Sequence, residues 1–315
     1  MSEVVAALDA GTNTLRLLIA SLGPDFCLHE HERQLRFVGL CHGVDANGRL
    51  NEAAIARGWA AIDEYVPLIR GHGCSRARFV ATSASRDAAN RDEFFAGVRE
   101  RLGIEAELIT GDEEARLSFT GALSCAGQAE GPILVMDSGG GSTELVRGHA
   151  DGQLDQAISI DIGSRRVRER YLLDDPPTPE QVSAARAEVN RLLDACPVDL
   201  SGIAIFIGVA GTVTSMAALN LGLERYDRAL VHGSVMTPDE VTALAERLLS
   251  MSAEQVAALG PVAPERAKVL GAGALVVAEV VRRVGVALRA SESDILDGIA
   301  WSMLVDGRGH PLPDS

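Results

Sequence analysis

Apolar runs of strand length alternate with turns and helix-like spacing along the first third of the chain. This pattern predicts strands over residues 4–9, 15–21, 26–31, 34–38, 78–82 and 105–109. Apolar residues three and four positions apart predict a helix through Ile55–Ile69, and residues 90–102 predict a second. Strands followed by helices in this order indicate an α/β domain.

The same order of elements returns after residues 119–131, where small residues and a Gly-Pro pair interrupt the pattern. Further strands are predicted over residues 133–137, 143–148, 155–160 and 203–207. Thr178 with Gln181, and Thr237 with Glu240, have the spacing of capping boxes with proline at the first helical position, which predicts one helix from Thr178 to about residue 195 and another from Thr237 onward. Further helices are predicted over 265–284 and over 294–304. We therefore expect two α/β domains, residues 1–121 and 122–293, with the helix over 294–305 as a candidate to complete the first.

Composition narrows the classes of protein to which the chain can belong. Its 315 residues are 47% hydrophobic, which supports a substantial core and, at this length, two domains. There are 29 basic and 44 acidic residues, and the net charge of −15 argues against nucleic-acid binding, which needs a basic surface. The five cysteines are scattered and odd in number, as in proteins of a reducing compartment. No apolar run has membrane-spanning length, so we expect a soluble, cytoplasmic protein without a membrane partner.

Two segments share one pattern: an apolar strand ending in an aspartate, a turn of glycine and hydroxyl residues, and a second apolar strand. The first runs from Asp9 through Gly11–Thr14, and the second from Asp137 through Gly139–Thr143 to Glu144. Glycine lets the backbone approach a ligand and present its amides to phosphate oxygens, and an aspartate at the turn suits a hydrated divalent cation. Taken alone, the first segment is better explained as an ordinary hairpin turn, whereas three consecutive glycines favour a functional loop in the second. Together the loops suggest two lobes that hold a phosphate chain and a metal ion.

An acidic cluster follows the strand predicted over residues 105–109. Thr110 and Glu113 have the spacing of a capping box, so a helix start alone accounts for Glu113. The next residue, Glu114, is left to project from the junction of strand and helix. A carboxylate there could act as a general base and take a proton from water that attacks a phosphorus atom.

Two basic clusters allow a functional and a structural interpretation. In the first, Thr82–Arg91, hydroxyl groups and Arg86 could hold phosphate oxygens, but a capped surface helix explains the same residues. In the second, Ile162–Arg166, two arginines form either a further basic patch or a solvated run of charge.

In this order and spacing the segments resemble the exopolyphosphatase/guanosine pentaphosphate phosphohydrolase (Ppx/GppA) family. The matching stretches are Asp9–Thr14, Ala81–Asn90, Gly111–Arg116, Asp137–Glu144 and Gly208–Thr212. The resemblance implies the short, two-domain form of the family. Its fold class is α/β, with two ribonuclease-H-like domains of the actin-like, acetate and sugar kinase superfamily and an active-site cleft between them. Ser138 departs from the family pattern, which usually has an apolar residue there.

The resemblance also implies a role for individual residues. The family's catalytic glutamate falls on Glu114, its phosphate-contacting arginine on Arg86 and its metal-associated acids on Asp137 and Glu144, with Asp9 as a further candidate. Its phosphate loops fall on Gly11, Thr12, Asn13, Thr14 and on Gly139, Gly140, Gly141, Ser142, Thr143. The expected activity is metal-dependent release of terminal orthophosphate from inorganic polyphosphate, with Mg²⁺ as cofactor and Mn²⁺ as a substitute. The family further suggests a homodimer.

Three other functions remain open from the sequence. Hydrolysis of guanosine pentaphosphate to the tetraphosphate would use the same groups and differ in a nucleoside pocket. A kinase of the same superfamily would need an acceptor-binding aspartate and an ADP site. A non-enzymatic, actin-like nucleotide-binding protein would not need both Glu114 and a triple-glycine loop.

Overall fold

The computed structural model describes residues 3–23, 27–40, 44–123 and 130–305. The chain divides into two compact units, Met1–Gly121 with Ile295–Ser315, and Ala122–Asp294. The expected boundary at residues 119–131 lies partly outside the described residues, as do Cys41 and Cys125. The described cysteines, Cys27, Cys74 and Cys196, are free thiols.

The elements of residues 3–123 start with a strand hairpin and continue as alternating helices and strands. The strands are β1 (Val4–Ala10), β2 (Thr14–Leu22), β3 (Leu28–Phe37), β4 (Arg76–Ala81) and β5 (Ala106–Leu108). The helices are α1 (Val44–Asn47), α2 (Glu52–Gly71), α3 (Ser83–Arg86), α4 (Arg91–Leu102) and α5 (Gly111–Ala122).

Residues 130–305 repeat this plan with more helix. The strands are β6 (Ile133–Ser138), β7 (Thr143–Gly148), β8 (Leu154–Ile160), β9 (Ile205–Val209), β10 (Val235–Met236) and β11 (Leu288–Ala290). The helices are α6 (Ser164–Arg170), α7 (Pro179–Asp194), α8 (Ala210–Asn220), α9 (Arg228–Val231), α10 (Pro238–Leu249), α11 (Ala253–Ala257), α12 (Pro264–Val284) and α13 (Ile295–Leu304).

Each unit contains one sheet, and the two sheets have the same core topology. The first sheet has the order β3-β2-β1-β4-β5, in which β1 is antiparallel to β2 and parallel to β4. The second has the order β10-β11-β9-β6-β7-β8, in which β6 is antiparallel to β7 and parallel to β9. The five strands β8-β7-β6-β9-β11 of the second sheet therefore correspond to β3-β2-β1-β4-β5 of the first. The second sheet has one more strand, the short β10, at its edge.

Strand β1 is the centre of the first unit, and its residues Val5–Leu8 are completely buried. Ala6 and Leu8 pack in a cluster with α2, whereas Val5 and Ala7 pack with α13. A strand covered on both faces needs apolar side chains at every position, which explains its continuous apolar run. The turn that follows β1 is therefore built on a rigid strand.

Helix α12 is the centre of the second unit. Most of its side chains are buried, and they join the single large cluster that also contains β6, α7 and α10. Pro264 is the first residue of the helix, and Gly285 caps its C-terminal end after Val284. The φ of Gly285 is 70°, the left-handed conformation that favours glycine. None of the helices in the described part of the chain combines the length and apolar character that crossing a membrane requires.

Several details of the sequence prediction are wrong or missing. The strands expected over residues 26–31 and 34–38 are one strand, β3, in its described part. It continues along β2 because a bulge, where Ile19 pairs with Glu32 and Ala20 with Glu30, absorbs the extra residue His31. Helices α6 and α8 were not predicted, since α6 is a run of charge and α8 follows a glycine-rich turn.

A further difference concerns the predicted capping box at Thr178. The Thr178 side chain accepts the Gln181 amide at 3.3 Å, but the Gln181 side chain bonds to Asp174 instead of returning to Thr178. At Thr237 and Glu240 both arms of the predicted box are present. The two helix starts therefore share a cap but not its reciprocal bond.

Candidate functional site

The first glycine loop is the turn between β1 and β2. The Gly11 amide donates to Thr14 O at 3.0 Å and closes the turn. Asn13 O accepts the amides of Val38 and Gly39, both at 2.9 Å. These bonds fix the loop from within and from the end of β3.

A hydroxyl pair connects this loop to helix α3, which follows β4. Thr12 Oγ1 lies 3.0 Å from Ser83 Oγ, and both residues are buried. Ser83 is the first residue of α3, the one-turn helix that ends in Arg86. The structure therefore brings the loop and the Arg86 segment together, two regions that the sequence suggested separately.

Asp9, at the end of β1, lies directly opposite Arg16 in the β1–β2 ladder. Arg16 donates from Nε and Nη2 to Asp9 Oδ2, at 3.0 and 2.7 Å. The Asp9 side chain is 3% exposed and that of Arg16 17%. A buried carboxylate needs an opposite charge or a cation, and Arg16 supplies it here.

Glu114 lies in the first turn of α5 and is buried. Arg86 Nη1 donates to Glu114 Oε2 at 2.8 Å and also to Ile109 O at 3.0 Å. The guanidinium thus spans the end of the β5 segment and the start of α5. The sequence assigned these two residues independently, and the structure places them in one ion pair.

The neighbouring Glu113 is held quite differently. Its amide donates to Thr110 Oγ1 at 3.2 Å, which confirms Thr110 as the cap of the helix. Its half-exposed side chain accepts Arg78 Nη2 at 2.7 Å. Burial lowers the pKa of Arg78, but its hydrogen bonds to Glu107 and Glu113 outweigh this and raise that pKa overall. Glu113 therefore stabilises the helix start.

The second glycine loop is the turn between β6 and β7, and the Gly139 amide donates to Ser142 O at 3.0 Å, as Gly11 does to Thr14. The carbonyls of Gly139, Gly140 and Gly141 accept four backbone amides from residues 163–166, at 2.9 to 3.1 Å. In a planar trans peptide the N–H points away from the C=O. The amides of Gly140, Gly141 and Ser142 are therefore directed away from residues 163–166. Such consecutive amides form the concave donor surface that binds anions.

The segment behind the loop is packed against it. A Cβ added to Gly163 would lie 2.2 Å from Gly140 C and O, so only glycine fits at that position. Thr143 Oγ1 donates to Ile162 O at 2.7 Å and ties the exit of the loop to the same segment. This segment is the Ile162–Arg166 stretch, and its role as a support for the loop was not predicted.

Asp137 and Glu144 flank the second loop and are directly opposite each other in the β6–β7 ladder. They are 8% and 1% exposed, and Ser159 Oγ donates to Glu144 Oε1 at 2.6 Å. Side chains at such paired positions share one face of the sheet and lie close together. Two buried carboxylates side by side suit a cation, and Mg²⁺ is commonly held by one or two carboxylates with water and substrate phosphates. In the part of the chain that the structure describes, no group of three or more His, Cys, Asp or Glu side chains forms a more complete metal site.

Three supporting residues were missed from the sequence, namely Arg16, Ser83 and Ser159. For Arg16 a signal was available, because Asp9 and Arg16 have the same seven-residue spacing as Asp137 and Glu144. Ser83 and Ser159 gave no comparable signal, since their roles depend on strands and loops distant in sequence.

Comparison with known proteins places these features in a family. Residues 19–304 match the sequence pattern of the Ppx/GppA phosphatase family. Exopolyphosphatase 2 of Mycobacterium tuberculosis is 45% identical over 314 residues, covering 95% of this chain and 98% of that protein. Among solved structures, an exopolyphosphatase-like protein is 40% identical with a TM-score of 0.90, covering 95% of this chain and 97% of the other. The Aquifex aeolicus family member is 30% identical with a TM-score of 0.81, covering 95% and 96%.

These similarities, with the matching topology of the two sheets, confirm the predicted α/β fold class with two domains of similar design. They extend over nearly the whole chain, and the family match over residues 19–304 includes the second glycine loop. The chain belongs to the Ppx/GppA phosphatase family.

Proposed function

We propose that this protein is an exopolyphosphatase, which hydrolyses the terminal phosphoanhydride bond of inorganic polyphosphate and releases orthophosphate. The observation that carries the proposal is the triple-glycine loop, whose amides are directed away from its support while two buried carboxylates flank it. Amide donors suit phosphate oxygens and paired carboxylates suit a divalent cation. The name of the 45% identical relative agrees with this chemistry.

In the second unit, we assign phosphate binding to Gly139–Thr143 and metal binding to Asp137 and Glu144. The donor set fits Mg²⁺, or Mn²⁺ as a substitute, with water and phosphate oxygens completing its coordination. The ion would neutralise charge on the phosphate chain. Asp9 is left out of the metal group because Arg16 already balances its charge.

In the first unit, we assign the role of general base to Glu114. Glu114 orients the water and takes its proton, the water oxygen forms a bond to the terminal phosphorus, and the bridging P–O bond breaks. The shortened chain leaves with the bridging oxygen. Arg86 holds the Glu114 carboxylate in place, and Arg86 and the Gly11–Thr14 loop bind phosphate oxygens.

The test is orthophosphate release by the purified protein with Mg²⁺, using short polyphosphate, long polyphosphate and guanosine pentaphosphate side by side. Glu114→Gln should lower turnover by roughly 100-fold or more, because a general base contributes about that factor. Glu113→Gln is the matched control, since it removes the adjacent carboxylate that only pairs with Arg78. It should retain a rate close to that of the wild type.

Each other result has a defined meaning. Release from the nucleotide alone would replace polyphosphate by guanosine pentaphosphate as substrate. ATP formed from ADP and polyphosphate would indicate a kinase. Equal rates of Glu114→Gln and Glu113→Gln would contradict the role of Glu114. The homodimer stays a prediction, which light scattering on the same sample would test.

A further inference from the structure

The Arg166 guanidinium makes a direct contact with the triple-glycine loop. Its Nε–H donates to Gly141 O at 2.8 Å. Its Nη2 lies 3.7 Å from Asp161 Oδ1, a long ion pair with a mostly exposed carboxylate. The Arg166 side chain is 11% exposed, so most of its stem is fixed by packing.

The Gly141 carbonyl has two donors, the Gly163 amide at 3.1 Å and this guanidinium. The guanidinium is the stronger donor, since a charged group forms the shorter and stronger hydrogen bond. This carbonyl belongs to the same peptide as the Ser142 amide, the last of the three amides directed away from the support. Whatever fixes Gly141 O therefore also fixes the direction of the Ser142 N–H.

Such a lock is needed because glycine does not hold its own peptides in place. Without a Cβ, a run of three glycines has many backbone conformations of similar energy. If the Gly141–Ser142 peptide rotated by half a turn, it would present a carbonyl oxygen to the ligand instead of an amide. A carbonyl dipole in that position would repel a phosphate.

We propose that Arg166 is a positioning residue, which locks the Gly141–Ser142 peptide so that the Ser142 amide faces the bound phosphate. The inference rests on the phosphate-binding role proposed for this loop. It assigns Arg166 no contact with the reacting atoms, and it gives the Ile162–Arg166 segment a function that is neither a basic patch for substrate nor a solvated run of charge.

The experiment compares Arg166→Gln with Arg168→Gln. Both substitutions remove one positive charge from α6, and in the described structure the Arg168 side chain makes no hydrogen bond to the loop. Three measurements are made on each purified protein: the Kd for inorganic phosphate by titration calorimetry, kcat and KM for polyphosphate, and thermal unfolding.

We expect Arg166→Gln to bind phosphate about 10-fold to 100-fold more weakly, which is the loss expected when the Ser142 amide no longer donates to the charged phosphate. Its kcat should fall as well, while Arg168→Gln keeps the wild-type Kd and kcat. A purely structural role for Arg166 would lower the unfolding temperature and leave the phosphate Kd of the folded fraction unchanged, and that result would overturn the proposal.

Arg166→Lys guards against a variant that simply fails to fold. Lysine keeps the charge and the apolar stem but has a methylene where arginine has Nε–H, so it should also bind phosphate more weakly. Wild-type affinity in Arg166→Lys would overturn the proposal. If the wild-type protein binds phosphate but hydrolyses no phosphoanhydride, the proposed function fails. The ratio of the phosphate Kd of Arg166→Gln to that of the wild type still tests the role of Arg166.

Discussion

The two glycine loops have the same backbone arrangement but differ in the charge of the residue pair that flanks them. Each joins two antiparallel strands, and each is closed by an amide of one residue to the carbonyl three residues later. In both, the aspartate at the end of the first strand faces the residue seven positions later. In the first loop that residue is Arg16, and in the second it is Glu144.

We propose that this single difference gives the two pairs different roles, one in stability and the other in metal binding. The Asp9–Arg16 pair is neutral, because Arg16 balances the charge of Asp9 within the protein, so it stabilises the first unit. The Asp137–Glu144 pair is doubly acidic and buried, which suits a bound cation. Under the proposed function, the same position therefore serves stability in the first unit and metal binding in the second.

The largest effects are expected when each aspartate is replaced in turn by asparagine, which removes its charge. Asp137→Asn should reduce phosphate release on the order of 100-fold or more, because a metal ion supplies several kcal/mol of charge stabilisation. It should leave the free energy of unfolding unchanged or higher, since it relieves repulsion with Glu144. Rates and urea unfolding of the metal-free protein measure the two effects.

Asp9→Asn should do the reverse. It leaves Arg16 partly buried without its carboxylate, which we expect to lower the free energy of unfolding by about 2–3 kcal/mol. The fraction that is folded should retain its Mg²⁺ dependence. If Asp9→Asn instead shifted the Mg²⁺ concentration for half-maximal rate as strongly as Asp137→Asn does, the proposed division would be wrong.

A smaller effect is expected from alanine in the loops and their supports. Gly163→Ala places a Cβ 2.2 Å from the Gly140 backbone, so it should destabilise the protein by about 1–3 kcal/mol and lower the rate. Gly11→Ala is the counterpart in the first loop, where the nearest atom to an added Cβ is Thr14 O at 3.5 Å. Gly11→Ala should be tolerated in thermal unfolding, and a larger loss there than at Gly163 would contradict the packing difference.

The smallest effects should come from the two threonine ties, at which the loops are alike. Thr143→Val removes the bond to Ile162 O, and Thr12→Val removes the bond to Ser83. Each should lower the free energy of unfolding by about 1 kcal/mol, the usual value of one hydrogen bond. Denaturant unfolding curves measure both free energies. A clear difference between the two variants would contradict this expectation and would mean that one loop depends far more on its hydroxyl.

The sequence predicted the elements whose signal is local. Gly139–Gly141 predict their own loop, and a continuous apolar run predicts β1, because both patterns follow from backbone freedom and burial of neighbouring residues. It did not predict that Arg16 balances Asp9 or that Gly163 supports Gly140. Those contacts depend on strand register and on the return of a distant segment, and no window of the sequence contains them.

Charge patterns were the weaker guide. Residues 164–170 contain mostly arginine and glutamate, so neither the helix nor its contact with the loop was evident. Likewise, the predicted base Glu114 is not an isolated projecting group, since it is ion-paired with Arg86. A sequence reports which charges are present, whereas their partners are decided by the fold.

The position of α13 has a consequence for synthesis on the ribosome. Ile295, Ile299 and their neighbours cover the face of the first sheet formed by Val5 and Ala7, although the whole second unit lies between them in the chain. The N-terminal sheet therefore emerges early, but part of one apolar face stays uncovered until α13 has been translated. During that interval this face is exposed to aggregation and to chaperones.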